Sequence, residues 1–392
     1  MLIVRWFLSK TVRQAVNFGR HVRRLTRAQK DLLPPLAVEE LNSAVRELKT
    51  VVAKGESLDT IREWMKNLET VANKRLKPYP HPGWRENVDV LLVTGAVVLA
   101  IRTFFFQPMA IPSGSAQPTL YGITEVDLRD QPDFQIPGFL QRMVDFWWSG
   151  ERYYHVKAEA DGVLRKIGEP KMVFPFIKKQ QFVVGDQTYT VWFPVEDLAK
   201  RAQLQVGQRF EKGEDIMKLK VTSGDHLIVN RMTYNFRRPE RGEIIVFTSE
   251  GMSPPLIPNT HYIKRLVALP GDHVRIGNDR HLIINGERLD ATTPHFELVY
   301  GFDPDAPPRD SEYSGHVNAS VARRYVNQNF APKFPDERTE FIVRPGHYLA
   351  MGDNTMNSYD GRAWGDFPRE KVIGKAGFVF WPISSRFGYG YR

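Results

Sequence analysis

Residues 111–120, with the sequence Ile-Pro-Ser-Gly-Ser-Ala-Gln-Pro-Thr-Leu, contain two serines on a short, irregular stretch. The two prolines and the glycine exclude a regular helix, so Ser113 and Ser115 are expected on a rigid loop. A loop of this kind can hold a hydroxyl nucleophile beside a group that stabilises a developing oxyanion. A stretch of serine, glycine and proline is more often only a turn. The chemistry therefore depends on finding a base for one of the serines.

Serine is a weak nucleophile until a neighbouring base takes its proton. Lys264 is one candidate, because it lies in the apolar segment 262–269 and burial there would lower its pKa. The alternative base is a histidine, but the chain contains no Gly-x-Ser-x-Gly motif that would point to one of them. The residues alone leave both alternatives open. The candidate histidines are His226, His261, His273 and His347.

A long apolar segment precedes the serine loop. Residues 88–106 would span about 29 Å as a helix, which matches the hydrocarbon core of a bilayer, so we predict one transmembrane helix at 85–107. The 87 residues before it carry 17 Lys and Arg against nine Asp and Glu. By the positive-inside rule the N-terminus is cytoplasmic and the rest of the chain lies outside. The serine loop would then begin at the outer membrane surface.

The rest of the chain is predicted to be a mainly β catalytic domain built of coiled antiparallel sheets, resembling a barrel. The reason is its many short apolar runs separated by Gly and Pro turns. The predicted order is a basic arm at 1–35, a helical hairpin and linker at 36–84, the helix at 85–107, the serine loop at 108–121, an inserted mostly β subdomain at 122–222, a core at 223–295, a surface excursion or cap at 296–338, and the end of the core at 339–392.

Composition excludes several classes of site. The chain has no cysteine, so it can form neither a disulfide, a thiolate metal site nor a cysteine nucleophile. Its net charge of +9 is concentrated at the N-terminus, where residues 1–30 hold eight Lys and Arg and no acidic residue. This charge is the only support for nucleic-acid binding, since no aromatic residues are interleaved with it in the way such sites require. We therefore expect no nucleic-acid partner.

Several segments, in this order behind a membrane helix, resemble the conserved boxes of type I signal peptidases, membrane-bound Ser/Lys proteases that remove signal peptides. They are residues 111–120, 223–232, 262–272 and 352–365.

The resemblance implies Ser115 as nucleophile, Lys264 as unprotonated base, and the Ser115 N–H with the Ser113 hydroxyl as oxyanion hole. It implies that Ser358 hydrogen bonds to and orients Lys264, supported by an Asp360–Arg362 ion pair. It also implies a substrate pocket lined by Ile111, Ala116, Leu120, Tyr262 and Ile263.

The same resemblance implies partners and a location. The substrates would be preproteins, which are cut after small-x-small sequences such as Ala-x-Ala. The enzyme would need no metal and no organic cofactor. The protein would sit in the bacterial cytoplasmic membrane with its catalytic domain outside, near the secretion translocon and in contact with the lipid bilayer. Phe105, Phe106 and Met109 are expected either to dip into the membrane interface or to continue the end of the helix.

Two positions depart from the family. Ala116 stands where the family has methionine, and a smaller side chain there is expected to enlarge the pocket. Thr355 and Met356 stand where the family has Arg-Asp, which is expected to weaken the support of the Ser358 turn. Ala116 also favours one rival interpretation, a weakened or catalytically silent homologue that binds exported chains. Another rival, a self-cleaving Ser/Lys repressor, would be soluble and would carry a DNA-binding motif that this chain lacks.

Overall fold

The computed structural model describes residues 6, 9–78, 82–131, 133–252, 256–301, 315–324 and 330–389. Contacts divide the chain into two compact units, Met1–Gly95 and Ala96–Arg392. The helices are α1 Lys10–Ala28, α2 Pro35–Lys54, α3 Leu58–Arg75, α4 Pro82–Phe104, α5 Phe139–Ser149, α6 Leu198–Arg201, α7 Thr233–Phe236, α8 Ala319–Ala322 and α9 Gly361–Trp364.

The strands are short, as the frequent turn residues predict. They are β1 Phe106–Ala110, β2 Thr124–Asp127, β3 Glu151–Lys157, β4 Gly162–Ile167, β5 Lys171–Phe174, β6 Ile177–Val184, β7 Gln187–Trp192, β8 Arg209–Phe210, β9 Asp215–Thr222, β10 His226–Asn230, β11 Ile244–Thr248, β12 His261–Ala268, β13 His273–Ile276, β14 Leu282–Ile284, β15 Glu287–Arg288, β16 Phe341–Ile342, β17 His347–Met351, β18 Phe367–Pro368 and β19 Val372–Trp381.

The first unit contains three packed helices rather than the predicted arm and hairpin. Helices α2 and α3 form the predicted hairpin, in which Gly55 ends α2 at a φ of 82° and Ser57 caps α3. Helix α1 belongs to the same core, because Val12, Ala15 and Val22 bury one of its faces against both helices while its basic residues stay outside. Within the described residues, the basic arm is therefore largely this helix.

Helix α4 contains the predicted membrane span. Residues Glu86–Phe104 have a mean hydropathy of 1.7 and none of this stretch is buried, and no other described helix is long and apolar enough to cross a bilayer. The helix ends three residues before the predicted limit of 107, because β1 begins at Phe106. Continuation of the helix through Phe106 and Met109 is therefore wrong: both lie in β1, and Met109 packs against the core of the second unit.

The largest sheet of the second unit has seven antiparallel strands in the order β1-β10-β19-β11-β12-β17-β18. Strand β12 is paired on both sides, with Ile245 of β11 opposite Lys264 and Met351 of β17 opposite Arg265. A smaller sheet, β15-β14-β13-β16, is formed by the part of the chain between β12 and β17. Its β14–β15 turn is Asn285-Gly286, a dipeptide typical of tight hairpin turns, with both residues at positive φ. The mainly β fold is thus confirmed.

The inserted subdomain is mostly β, as predicted. Strand β9 lies between β2 and β3 in one sheet, while β5, β6, β4 and β8 form another, with β7 paired to β6. The hairpin around Gly185 and Asp186 is the turn between β6 and β7. The aromatic-rich stretch before β3 is the helix α5.

The predicted surface excursion at 296–338 is wrong for its described part. Phe296, Val299 and Phe334 are fully buried, in the same cluster as Val274 of β13 and Leu349 of β17. The wider segment is rich in Pro, Asp and Arg, and this composition led to the prediction of a surface segment. Residues 302–314 and 325–329 lie outside the described residues.

Candidate functional site

Ser115 and Lys264 meet in the interior of the second unit. Lys264 Nζ lies 2.5 Å from Ser115 Oγ, and both side chains are buried. Ser115 occupies a single 3₁₀ turn, Gly114–Ala116, and Lys264 lies in the doubly paired strand β12. The irregular loop places the hydroxyl, while the sheet fixes the amine. The contact joins two positions that are 149 residues apart in the chain.

The surroundings of Lys264 favour its neutral form. The pKa of Lys264 is lowered from 10.5 to about 8, mainly by burial and also by the positive charge of Arg362, while the charges of Asp360 and Asp353 oppose the shift. A neutral amine can accept the proton of Ser115, whereas an ammonium can only donate to its oxygen. At a pH near 8, a substantial fraction of the lysine can therefore act as a base.

Three of the four candidate histidines make contacts away from Ser115, and the fourth is exposed. His226 Nδ1 lies 3.0 Å from the Gly224 carbonyl oxygen, and His273 Nδ1 lies 2.9 Å from a carboxylate oxygen of Glu340. His347 Nδ1 lies 3.0 Å from the Pro345 carbonyl oxygen, and the side chain of His261 is exposed. Among the hydrogen bonds of the described chain, none joins these histidines to Ser115. The geometry therefore favours Lys264 as the base.

The serine loop is fixed by the turn after β17. The Asn354 backbone N–H donates to the Ser115 carbonyl at 3.1 Å, and its side-chain amide donates to the Gly114 carbonyl at 3.1 Å. Gly352 lies under the same loop: a Cβ on this residue would come within 2.5 Å of the Ser115 carbonyl oxygen and 2.1 Å of Ser358 Oγ. Only glycine allows the two segments to approach this closely.

Ser113 lies at the mouth of the site. Its hydroxyl is 3.4 Å from Ser115 Oγ, and its side chain is exposed, unlike that of Ser115. Ser113 therefore places a second hydroxyl beside that of Ser115.

Asp360 and Arg362 form a buried ion pair rather than a solvated one. Arg362 Nε and Nη2 donate to the two carboxylate oxygens at 2.9 and 2.8 Å, and both side chains are almost completely buried. Burial alone would raise the pKa of Asp360, but the charge and hydrogen bonds of Arg362 lower it to about 2. The carboxylate also accepts the Gly352 N–H at 2.9 Å. The pair thereby fixes the turn beneath Ser115.

Thr355 supports this turn, contrary to the expectation that it would weaken it. Its hydroxyl and carbonyl oxygens accept hydrogen bonds from Arg362 at 2.6 and 2.7 Å, and the hydroxyl also accepts the Val317 N–H at 3.0 Å. The expectation for Ser358 is also corrected: its hydroxyl is buried and makes no hydrogen bond with Lys264, and it contributes instead to lowering the pKa of Asp360.

The five predicted pocket residues do not share one surface. Ile111, Ala116 and Leu120 are buried in one apolar cluster, with Ile263 packed against it. Tyr262 contacts a different cluster, where its ring is stacked on Phe247 at 5.6 Å, because neighbouring residues of a strand point to opposite faces. A pocket common to all five residues is therefore not formed.

A buried hydrogen-bonded network that was not predicted from the sequence lies beside the site. Arg265 donates to both carboxylate oxygens of Asp353, at 2.8 and 2.5 Å, and to Thr119 Oγ1 at 2.9 Å. Thr119 in turn donates to Asp353 at 2.6 Å. An arginine within an apolar strand was the available signal, but nothing in the sequence indicates a partner 88 residues away. Among the described residues, no group of His, Asp or Glu is arranged to hold a metal ion.

The family model and the relatives that match this chain all carry the description signal peptidase. Residues 205–381 match the family model described as signal peptidase, peptidase S26; this range includes Lys264 but begins after Ser115. A signal peptidase I of Pseudomonas fluorescens is 31% identical over 212 residues, covering 48% of this chain and 70% of that protein. Signal peptidase IB of Staphylococcus aureus strain MRSA252 is 30% identical over 183 residues, covering 46% of this chain and 80% of that protein.

Other matches are less complete. A probable signal peptidase I-2 of Synechocystis is 32% identical over 159 residues. This match covers 41% of the present chain and 56% of the length of that relative. A solved structure, of a signal peptidase I from Enterococcus faecalis, is 25% identical and covers 36% of this chain and 97% of its own, with a TM-score of 0.21.

Proposed function

The chain belongs to the signal peptidase I family, and on that premise we propose that it is a serine endopeptidase that removes signal peptides with a Ser115–Lys264 dyad. The observation that carries the proposal is the 2.5 Å contact between Lys264 Nζ and Ser115 Oγ. It brings a buried amine with a lowered pKa to a serine on a rigid loop. Such a pair is what activation of a serine without a histidine requires.

In the proposed reaction, Ser115 Oγ attacks the scissile carbonyl carbon while neutral Lys264 takes the hydroxyl proton. The oxyanion that forms is stabilised by the Ser115 N–H and the Ser113 hydroxyl. Collapse of this intermediate breaks the C–N bond, and Lys264 returns the proton to the leaving amine. Lys264 then takes a proton from a water molecule, and the resulting hydroxide attacks the ester carbonyl on Ser115. The bond from this carbonyl to Ser115 Oγ breaks to release the carboxyl product, and Lys264 returns the proton to Ser115 Oγ.

The buried ion pairs have a positioning role in this scheme. Arg265 follows the base in the chain and binds Asp353, next to the residue that holds the Ser115 carbonyl. Asp360 and Arg362 hold the backbone of Gly352 beneath the same carbonyl. Both pairs therefore keep the distance between base and nucleophile short before substrate binds.

Helix α4 supports a proposal for the location. It is long and apolar enough to anchor the protein in the bacterial cytoplasmic membrane, with the positively charged N-terminal side in the cytoplasm and the catalytic domain on the outer face. The substrates would then be preproteins whose signal peptides end beside this surface, near the translocon. The expected cleavage site follows a small-x-small sequence, held as an added strand.

Cleavage of a preprotein with an Ala-x-Ala site by the detergent-solubilised full chain tests the proposal, with product masses locating the cut. We expect cleavage after the second alanine by the wild type and by Lys200→Met, an exposed control, and none by Ser115→Ala or Lys264→Met. Ser113→Ala should cut about 10²–10³ more slowly. Cleavage that survives in Ser115→Ala or Lys264→Met would refute the dyad. Binding of the preprotein without cleavage by the wild type would instead favour a silent homologue.

A further inference from the structure

The hairpin formed by β5 and β6 exposes a continuous apolar end, which we call the aromatic tip: Met172, Val173, Phe174 and Phe176. All four side chains are exposed, and that of Phe176 is 93% exposed. Soluble proteins seldom present consecutive large apolar residues in this way unless the surface binds something.

Two more aromatic residues lie beside this hairpin. Trp192, at the end of β7, is paired with Lys179 of β6, and the Phe193 N–H donates to the Lys178 carbonyl at 2.8 Å. Both aromatic side chains are about half exposed. Phe176 and Phe193 have φ angles of 70° and 52°, a region that bulky residues rarely adopt. The backbone thus accepts strain at two positions where it displays a phenylalanine.

The apolar surface continues from β7 to helix α5. A groove of about 630 Å³ is lined by Trp192 and Phe193 on one side and by Phe139, Met143 and Trp147 of α5 on the other. No described residue of α5 is buried, although the helix is rich in aromatic residues. Its exposed side therefore extends the same surface.

Helix α5 is also connected to the chain that leaves the membrane helix. Trp381 Nε1 of β19 donates to the Trp147 carbonyl at 2.9 Å. Strand β19 pairs with β10, which pairs with β1, and β1 begins two residues after α4 ends. The apolar surface is thus part of the same folded unit as the strand at the proposed membrane exit.

The charge around the aromatic tip selects the kind of partner. Residues 171–179 contain three lysines and no acidic residue, and Lys171, Lys178 and Lys179 stand at the base of the tip. Lys179 Nζ lies 6.0 Å from the centre of the Trp192 ring. Aromatic residues at the end and lysines behind them match the two layers of a lipid surface, the acyl boundary and the anionic headgroups.

We propose that the aromatic tip, with Trp192 and Phe193, docks the inserted subdomain onto the surface of an anionic lipid bilayer. The docking is a second membrane contact, separate from α4. It extends the membrane anchoring of the proposed function but does not require peptidase activity.

The absence of cysteine from the chain allows a clean test. The full chain carrying Phe176→Cys is labelled with an environment-sensitive fluorophore and reconstituted into vesicles of phosphatidylcholine and phosphatidylglycerol that contain spin-labelled acyl chains. The control is Asp186→Cys, at the turn that follows the opposite end of β6. We expect strong quenching of the label at 176 and little at 186. Equal quenching at the two positions would overturn the proposal. A change in the fluorescence of the label at 176 on addition of a protein, but not on addition of vesicles, would also overturn it.

A second set of samples tests whether the lysines beside the aromatic tip contribute to docking. In the Phe176→Cys background, Lys178→Gln and Lys179→Gln should each shift the docking equilibrium about fivefold towards the undocked state, and vesicles of phosphatidylcholine alone should reduce quenching further. Unchanged quenching in these samples would contradict binding to anionic lipid. Preprotein cleavage by the same samples separates the two proposals, because loss of cleavage with intact quenching defeats only the proposed function.

Discussion

Arg265 and Asp353 form a bidentate ion pair closed off from solvent, with Nε 2.8 Å from Oδ1, Nη2 2.5 Å from Oδ2, and both side chains 1% exposed. Arg265 follows Lys264 in β12, while Asp353 precedes Asn354, whose N–H holds the carbonyl of Ser115. The pair therefore links the strand of the proposed base to the loop of the proposed nucleophile.

Breaking this pair should destabilise the fold. Arg265→Leu leaves the Asp353 carboxylate buried without its cation, and we expect the free energy of unfolding to fall by about 3–5 kcal/mol in a denaturant titration. Arg165→Leu is the matched control, because the Arg165–Asp186 pair is exposed and should contribute less than about 1 kcal/mol. The double variant Arg265→Leu/Asp353→Leu should recover part of the loss. Equal effects of Arg265→Leu and Arg165→Leu would show that the buried pair is not structural.

Gly352 is expected to be essential to the shape of the site. In Gly352→Ala the new methyl group would overlap the Ser115 carbonyl oxygen and Ser358 Oγ, so the serine loop must shift. A displacement of about 1 Å can cost about 10²-fold in rate, measurable as kcat for preprotein cleavage. Gly138→Ala is the control, since nothing lies within 4 Å of a Cβ at that position. Full activity in Gly352→Ala would contradict the close approach of the two segments.

The substitution Ala116→Met tests whether position 116 lines an open pocket or belongs to a packed core. It is buried among Leu227, Val229 and Ile244, so the longer side chain in Ala116→Met should overpack the cluster and lower the free energy of unfolding by about 1–3 kcal/mol. The exposed control Ala160→Met should change it by less than about 0.5 kcal/mol. If Ala116→Met is as stable as the wild type, the site has room for the side chain, as the sequence analysis expected.

Thr355 should be hard to replace even by a residue of the same shape. Thr355→Val removes the acceptor of the Val317 N–H and of Arg362 Nη1, and leaving these buried donors unpaired should cost about 2–5 kcal/mol. Thermal unfolding can be compared with that of Thr190→Val, whose hydroxyl accepts from Gln181 on an exposed strand. A loss no larger than that of Thr190→Val would mean that water replaces the hydroxyl.

Local sequence patterns predicted where the strands lie more accurately than they predicted which strands and side chains are in contact. The apolar run at 262–269 predicts β12 to within one residue, and the Asn285-Gly286 dipeptide, which is typical of a hairpin turn, joins β14 to β15. Burial of Lys264 follows from its apolar neighbours together with the family resemblance. The pairing of Arg265 with Asp353 depends on the approach of two distant segments, which no local pattern encodes. Likewise, Phe296 and Phe334 are buried by tertiary packing, although the segment 296–338 as a whole is rich in Pro, Asp and Arg.

The pH dependence of cleavage tests the central claim, that neutral Lys264 takes the proton of Ser115. Because the pKa of Lys264 is lowered to about 8, kcat/KM should rise about tenfold per pH unit below that value and level off above it. An unperturbed lysine would move this limb to near 10.5. The measurement is kcat/KM for an Ala-x-Ala preprotein from pH 6 to 10, for the wild type and Lys264→Met. A limb near pH 8 that disappears with Lys264→Met is the predicted result, whereas a limb near 6.5 that persists in Lys264→Met would assign the base to a histidine instead.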